Sequence, residues 1–155
     1  MSTQRRATAY HEAGHAVVRW CYGLEFRLVT IRPDLVDGSL GHVAHAPDEP
    51  VDGYAVSLAA GQVAEIKFRR RLPRWGSEGD DEDIIEIALA RGMAPDTAAA
   101  WGRYCILMSR DLVNQYWREI QAVAAALLER ETLSYQDAVD VMLNGRMKPT
   151  DLREN

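Results

Sequence analysis

The stretch "AYHEAGHAVV", residues 9 to 18, is an apolar run that carries two histidines four residues apart. Residues 3 to 22 around it are mostly helix formers with an apolar stripe along one side. Gly23 follows directly, and glycine readily adopts the left-handed conformation found at helix ends. The sequence therefore predicts a helix over 3–22 that stops at Gly23.

The histidines of this helix have the spacing of a metal site. Residues i and i+4 lie on one helix face, about 6 Å apart along the axis, so His11 and His15 can bind the same ion. Glu12 is rotated by about 100°, where it is poorly placed as a ligand but can take a proton from a metal-activated water. Burying three ionisable groups in an apolar helix without such a partner would be costly. The H-E-x-x-H pattern therefore predicts Zn2+ as cofactor and Glu12 as general base.

A zinc hydrolase site needs three protein ligands and one open position. Glu65, in "AAGQVAE", is one candidate for the third ligand, because it belongs to a helix expected beside the first. Asp80, in "GSEGD", is another, because a glycine-flanked loop could direct it towards the metal. Their alternative roles are a solvated helix carboxylate for Glu65 and a helix N-cap for Asp80. The residues themselves leave this choice open.

The remaining pattern predicts a mainly α fold with a small antiparallel β-sheet. Segments 26–32 and 38–46 alternate apolar and polar residues around the turn-forming "PDLVDG", which predicts an antiparallel pair. A helix rich in small residues, with Asp52 as its N-cap, should pack closely against the first helix. Further helices are expected from about Asp80, over 96–108, from Leu112 to about Arg130, and over 135–144, with Ser134 and Asp137 as a capping pattern and Gly145 as a stop.

Composition predicts a single domain over 1–155 with a loose tail from about 147. The chain is 47% hydrophobic and 26% charged, which is typical of a globular protein. Its net charge of -5 gives no reason to expect nucleic-acid binding. The one basic run, 67–75, is interrupted by Pro73 and is expected to be a solvated helix end, with docking of an acidic partner as the alternative.

Cysteine usage and hydropathy bear on location. Cys21 and Cys105 lack the spacing of metal ligands and are expected to be core residues in a reducing compartment. No stretch reaches the roughly 20 apolar residues of a membrane span. The sequence therefore predicts a cytoplasmic protein without a membrane span.

The order of several segments resembles the peptidase domain of FtsH-type ATP-dependent zinc metalloproteases over nearly the whole chain. These segments are "YHEAGHAVV", "VTIRP", "GSLGHVAHAP", "SLAAGQVAEIKF", "GSEGD" and "LLERETLSYQDAV". HEAGH, with its glycine before the second histidine, is the most specific of them, and the others are persuasive only together. The resemblance implies a zincin-like metal helix and endopeptidase activity on peptides or unfolded proteins.

The resemblance also implies roles for individual residues. His11 and His15 become zinc ligands, Glu12 the catalytic base and Asp80 the third ligand. Asp81 replaces Asp80 if the alignment shifts by one residue, and Glu65 becomes a carboxylate that supports the metal site. The family's substrate-binding edge strand corresponds to 38–46. His42 and His45 on that strand are then expected to be surface residues and not ligands.

Familiar members of this family also carry a membrane anchor and an AAA+ unfoldase and assemble as hexamers. We expect no ATPase activity from this chain, so a separate ATPase or regulator chain could be its partner, and homo-oligomerisation stays open. The stretch "KFRRRLPRWGSEGDDED" is more basic and then more acidic than the family's loop, which could alter access to the site.

Two other functions fit the motif less well. A non-catalytic metal-binding or partner-binding module could retain the peptidase fold, although such a module has no need of Glu12 as a base. Zinc-dependent hydrolysis of a non-peptide bond is a weaker alternative.

Overall fold

The computed structural model describes residues 2–33, 51–70 and 80–146, and for residues 51, 80, 81, 145 and 146 it describes the backbone alone. Within these ranges the chain forms six helices and two short strands. They are α1 (Thr3–Cys21), β1 (Leu28–Thr30), α2 (Val51–Arg69), α3 (Asp80–Ala90), α4 (Pro95–Gln115), α5 (Trp117–Arg130), β2 (Thr132–Ser134) and α6 (Tyr135–Arg146). The predicted fold class, mainly α with a small antiparallel sheet, is confirmed.

Helix α1 begins and ends as local sequence signals require. The Ser2 hydroxyl accepts a hydrogen bond from the Arg5 backbone N–H at 3.2 Å and so caps the first turn. Gly23 has a φ of +68°, and its N–H donates to the Trp20 carbonyl at 3.0 Å. The predicted helix and its glycine stop are confirmed, so the H-E-x-x-H residues lie in the middle of one continuous helix.

Helices α1 and α2 pack closely through small residues, as the sequence predicts. A Cβ atom on Gly14 would lie 2.5 Å from the Ala60 carbonyl oxygen and 2.8 Å from the Ala64 Cβ. Only a glycine at position 14 therefore permits this approach of the two backbones. The contact brings α2 directly against the histidine face of α1.

The other helices enclose a core around this pair. α5 packs against α1, α4 packs against α2, and α6 covers α5. Cys105 is fully buried, Cys21 is half-buried beside the core, and neither forms a disulfide. The largest buried side chains include Val17, Val56, Ile84, Val113, Ile120, Leu127 and Met142.

The described sheet pairs β1 with β2 in antiparallel register, with Val29 opposite Leu133. The two outer threonines, Thr30 and Thr132, share a hydrogen bond of 2.7 Å between their hydroxyls. The strand within 26–32 is confirmed, but β2 is a partner that the sequence pattern did not predict.

Several predicted segments lie outside the described residues. They include the strand 38–46 with His42 and His45, residues 71–79 of the basic and acidic loop, and the tail from 147. Within the described helices, none has both the length and the apolar character needed to cross a bilayer.

Three predicted helix boundaries are wrong. Asp52 lies in the first turn of α2 and not at its N-cap, and its carboxylate accepts a hydrogen bond from the Trp101 Nε1–H at 3.1 Å. α4 continues past residue 108 to Gln115, and α5 begins at Trp117. The apolar stripe continues across this break, so the sequence pattern does not reveal it. α6 continues through Gly145 to Arg146, since glycine can also adopt helical angles.

The capping pattern before α6 is confirmed. The Ser134 hydroxyl donates to Asp137 Oδ2 at 2.7 Å, and the Asp137 N–H donates to Ser134 Oγ at 3.1 Å. This reciprocal pair satisfies backbone groups that the helix start would otherwise leave without partners.

Candidate functional site

The side chains of His11 and His15 converge on one point between α1 and α2. Their Nε2 atoms lie 3.1 Å apart. Two nitrogen ligands of a tetrahedral zinc ion, each about 2.0–2.1 Å from the metal, lie about 3.3 Å from one another. The pair therefore fits a shared zinc ion without rearrangement of the helix.

The orientation of His15 is fixed by the backbone of α2. Its Nδ1 lies 2.7 Å from the Ser57 carbonyl oxygen. A carbonyl can only accept, so Nδ1 carries the proton and Nε2 presents a lone pair. Burial, together with the nearby charges of His11 and Arg19, lowers the pKa of His15 to about 4, although the Ser57 hydrogen bond opposes the shift. His15 is thus neutral near pH 7, which is the form that binds metal.

The orientation of His11 depends on a side chain. Glu65 Oε2 lies 3.4 Å from His11 Nδ1, and Glu65 Oε1 accepts a hydrogen bond from Arg69 Nε at 2.7 Å. The carboxylate thus interacts with the ring nitrogen that does not face His15. This is the position of a group that supports a metal ligand and keeps its Nε2 available.

The close approach of the two Nε2 atoms requires either a hydrogen atom on His11 Nε2 or a metal ion between them. Because His15 holds its proton on Nδ1, its Nε2 lone pair faces the Nε2 of His11, and two bare lone pairs at 3.1 Å would repel. A proton or a metal ion removes that repulsion. The donors would be the two Nε2 atoms, while each Nδ1 interacts with a group of α2, Ser57 for His15 and Glu65 for His11. Such a set of donors suits zinc.

Gly61 of α2 forms the wall of the site behind the two nitrogens. A Cβ atom at this position would lie 2.3 Å from His15 Nε2 and 2.7 Å from His11 Nε2. Any side chain here would displace the imidazoles. Gly61 is a site residue that the sequence pattern does not predict, although a glycine in the middle of a helix that packs on an H-E-x-x-H helix is a usable signal.

Glu12 is a partly buried carboxylate of α1 beside the histidine pair. Within the part of the chain that the structure describes, it makes no hydrogen bond or ion pair, and burial raises its pKa to about 7. An unpaired buried carboxyl group costs stability. A pKa near neutrality is, however, the property that a general base or acid requires.

The predicted third ligands lie at the start of α3. Asp80 and Asp81 are its first two residues, and α3 packs against α2, but both carboxylates lie outside the described side chains. Among the described side chains, no three histidines, cysteines, aspartates or glutamates form a group that could hold a metal ion. Asp80 and Asp81 thus stay the predicted candidates for completing the site.

Two comparisons with known proteins, one with family models and one with curated sequences, give no match. No protein-family model matches the chain, and no curated protein is significantly similar to it. The geometry of the site and the order of the sequence motifs are therefore the observations that indicate a function.

Proposed function

We propose that this protein is a zinc-dependent endopeptidase of the FtsH type. The observation that carries the proposal is the convergence of the His11 and His15 Nε2 atoms at 3.1 Å. Next to them is Glu12, which pairs with none of the described residues and whose pKa burial raises to about 7. The order of motifs along the chain supports the same family. Its substrates are peptides or unfolded proteins.

His11, His15 and Asp80 would hold the metal, with Asp81 in place of Asp80 if the register differs by one. Zinc, when bound, polarises the scissile carbonyl and acidifies a water molecule. The chain itself keeps His15 neutral through burial and fixes its ring through Ser57. Glu65 performs the corresponding role for His11 from its Nδ1 side.

Glu12 moves the proton in this mechanism. Its carboxylate takes a proton from the attacking water and then passes it to the amine that leaves when the peptide bond breaks. In the metal-free chain, burial raises the pKa of Glu12 to about 7, so this carboxyl group can accept a proton near neutral pH. A non-catalytic metal-binding module would have no use for this carboxylate.

Partners and location follow from the same proposal. Extended substrate would bind along 38–46 by β-addition, and folded substrates would need a separate ATPase or regulator chain to deliver them. The two cysteines form no disulfide, which agrees with a reducing, cytoplasmic location. Homo-oligomerisation is compatible with the proposal but not required by it.

The metal content of the purified protein tests the site directly. Elemental mass spectrometry should find about one zinc per chain in the wild type. Asp80→Ala should lose it, whereas Asp81→Ala and Glu65→Ala should retain zinc when it is supplied in excess. Loss of zinc in Asp81→Ala but not in Asp80→Ala would identify Asp81 as the third ligand. A wild type that binds no zinc even when it is supplied would contradict the proposal.

A further inference from the structure

A chain of three side chains connects the start of α1 to the ring of His11. Arg69 Nη2 donates to Gln4 Oε1 at 2.7 Å, and Arg69 Nε donates to Glu65 Oε1 at 2.7 Å. The other oxygen of Glu65 lies 3.4 Å from His11 Nδ1. Arg69 therefore connects an exposed residue of α1 with the carboxylate that supports a predicted metal ligand.

We propose that Arg69, held by Gln4, is a positioning residue for His11 that acts through Glu65. This inference rests on the proposed zinc site. The two histidines differ in how they are held: His15 donates to a backbone carbonyl, whereas His11 depends on a side chain that can rotate. Fixing Glu65 is thus the way in which this chain fixes His11.

The geometry of Arg69 suits this role. It uses Nε and Nη2 for two different acceptors, so the plane of its guanidinium group is fixed. Its side chain is 17% exposed and that of Glu65 30%, so water screens the pair less than a fully exposed one. Without Arg69, Glu65 would gain solvation by turning away from His11.

Aromatic packing keeps the last turn of α2 within reach of α1. The Phe68 ring stacks on Tyr10 with ring centroids 4.3 Å apart. Tyr10 precedes His11 and Phe68 precedes Arg69, so this stack joins the two helices next to the proposed interaction. Tyr10 also stacks on Trp117 of α5 at 5.3 Å. Arg69 is therefore the last residue of a helix end that is packed against α1.

Zinc affinity, measured by competition with a chelator, tests the inference. Arg69→Gln should weaken zinc binding about tenfold, the lower end of the range for groups that support metal ligands. Arg5→Gln is the matched control, because Arg5 also pairs with a glutamate, Glu131 at 2.6 Å, but that glutamate contacts neither histidine. The control should retain wild-type affinity. The stability of each zinc-free variant is measured alongside.

A spectroscopic measurement separates positioning from general stability. In the zinc form, the ¹H–¹⁵N signal of the His11 Nδ1–H should be shifted or lost to exchange in Arg69→Gln and unchanged in Arg5→Gln. Gln4→Ala removes an exposed side chain, and it should shift the same signal and weaken zinc binding by a smaller factor. This second variant keeps the inference testable if Arg69→Gln does not fold.

Three results would overturn the inference. Wild-type zinc affinity in both Arg69→Gln and Gln4→Ala would do so while leaving the proposed function intact. Equal weakening in Arg69→Gln and Arg5→Gln would show a general loss of stability. Absence of zinc from the wild type would reject the proposed site and this inference together.

Discussion

Gly61 of α2 lies so close to His15 of α1 that a Cβ atom on it would be 2.3 Å from the imidazole Nε2. Ordinary van der Waals contacts of a Cβ are at least about 3.4 Å, so no side chain fits. The surface of α2 is thus shaped around the point where the two histidines meet. Helix packing thus fixes the space that the two imidazoles share.

Replacing Gly61 with alanine should damage the site more than the fold. The added methyl group must push His11 and His15 apart, so we expect zinc affinity to fall by at least about 10- to 100-fold, the loss seen when ligand orientation is disturbed. Overpacking should also destabilise the protein by about 1–3 kcal/mol. Chelator competition and urea unfolding measure the two effects separately.

Gly102→Ala is the matched control for this change. A Cβ on Gly102 would lie 3.5 Å from Ile85 Cγ1 and 3.6 Å from Ile84 Cγ2, which are ordinary contacts. Alanine should therefore stabilise α4 by about 0.5–1 kcal/mol and leave zinc affinity unchanged. If Gly61→Ala binds zinc as well as Gly102→Ala does, the wall formed by α2 does not shape the site.

The two thiols should react very differently in the folded protein. Burial raises the pKa of Cys105 to about 12, with the charge of Asp52 adding to the shift, so its reactive thiolate is scarce at neutral pH. Cys21 is only half-buried. Iodoacetamide followed by mass spectrometry should label Cys21 in the native protein and Cys105 only after unfolding. Equal native labelling of both would contradict the packing of α4.

The capping pair of α6 should make the free energy of unfolding depend on pH in the acidic range. Hydrogen bonds from the Ser134 hydroxyl and N–H lower the pKa of Asp137 below its ordinary value of 3.8. Ionised Asp137 therefore stabilises the folded state above that value, and its contribution is lost as pH falls through the lower folded pKa. Urea unfolding of the wild type and Asp137→Asn should show a difference near pH 7 that shrinks below pH 3.8. A difference of equal size at both pH values would rule out ionisation as its source.

Local signals predicted much of the fold and the first part of the site. The stop at Gly23, the Ser134 and Asp137 cap, and the histidine spacing all act within one turn of helix, where sequence order dictates geometry. The small residues of α2 correctly predicted its close packing on α1. The Glu65 and Arg69 pair is likewise an i, i+4 relationship that can be recognised in sequence.

Contacts between distant residues could not be predicted in this way. β1 pairs with β2 about a hundred residues later, and nothing in the local pattern of either strand identifies the other. The sequence predicts the Asp52 carboxylate as the cap of α2, but this carboxylate accepts a hydrogen bond from Trp101 of α4. The group that orients His15 is the backbone carbonyl of Ser57. Every residue has a backbone carbonyl, so the residue type at position 57 does not reveal this contact.

If Glu12 is the base of a zinc peptidase, its carboxylate is needed for peptide cleavage but not for zinc binding. The wild type and Glu12→Gln are loaded with equal zinc, and cleavage of an unfolded, fluorescently labelled protein is followed with time. This role of Glu12 predicts cleavage by the wild type and a rate about a hundredfold to ten-thousandfold lower in Glu12→Gln at unchanged zinc content. Cleavage by Glu12→Gln at the wild-type rate would contradict it.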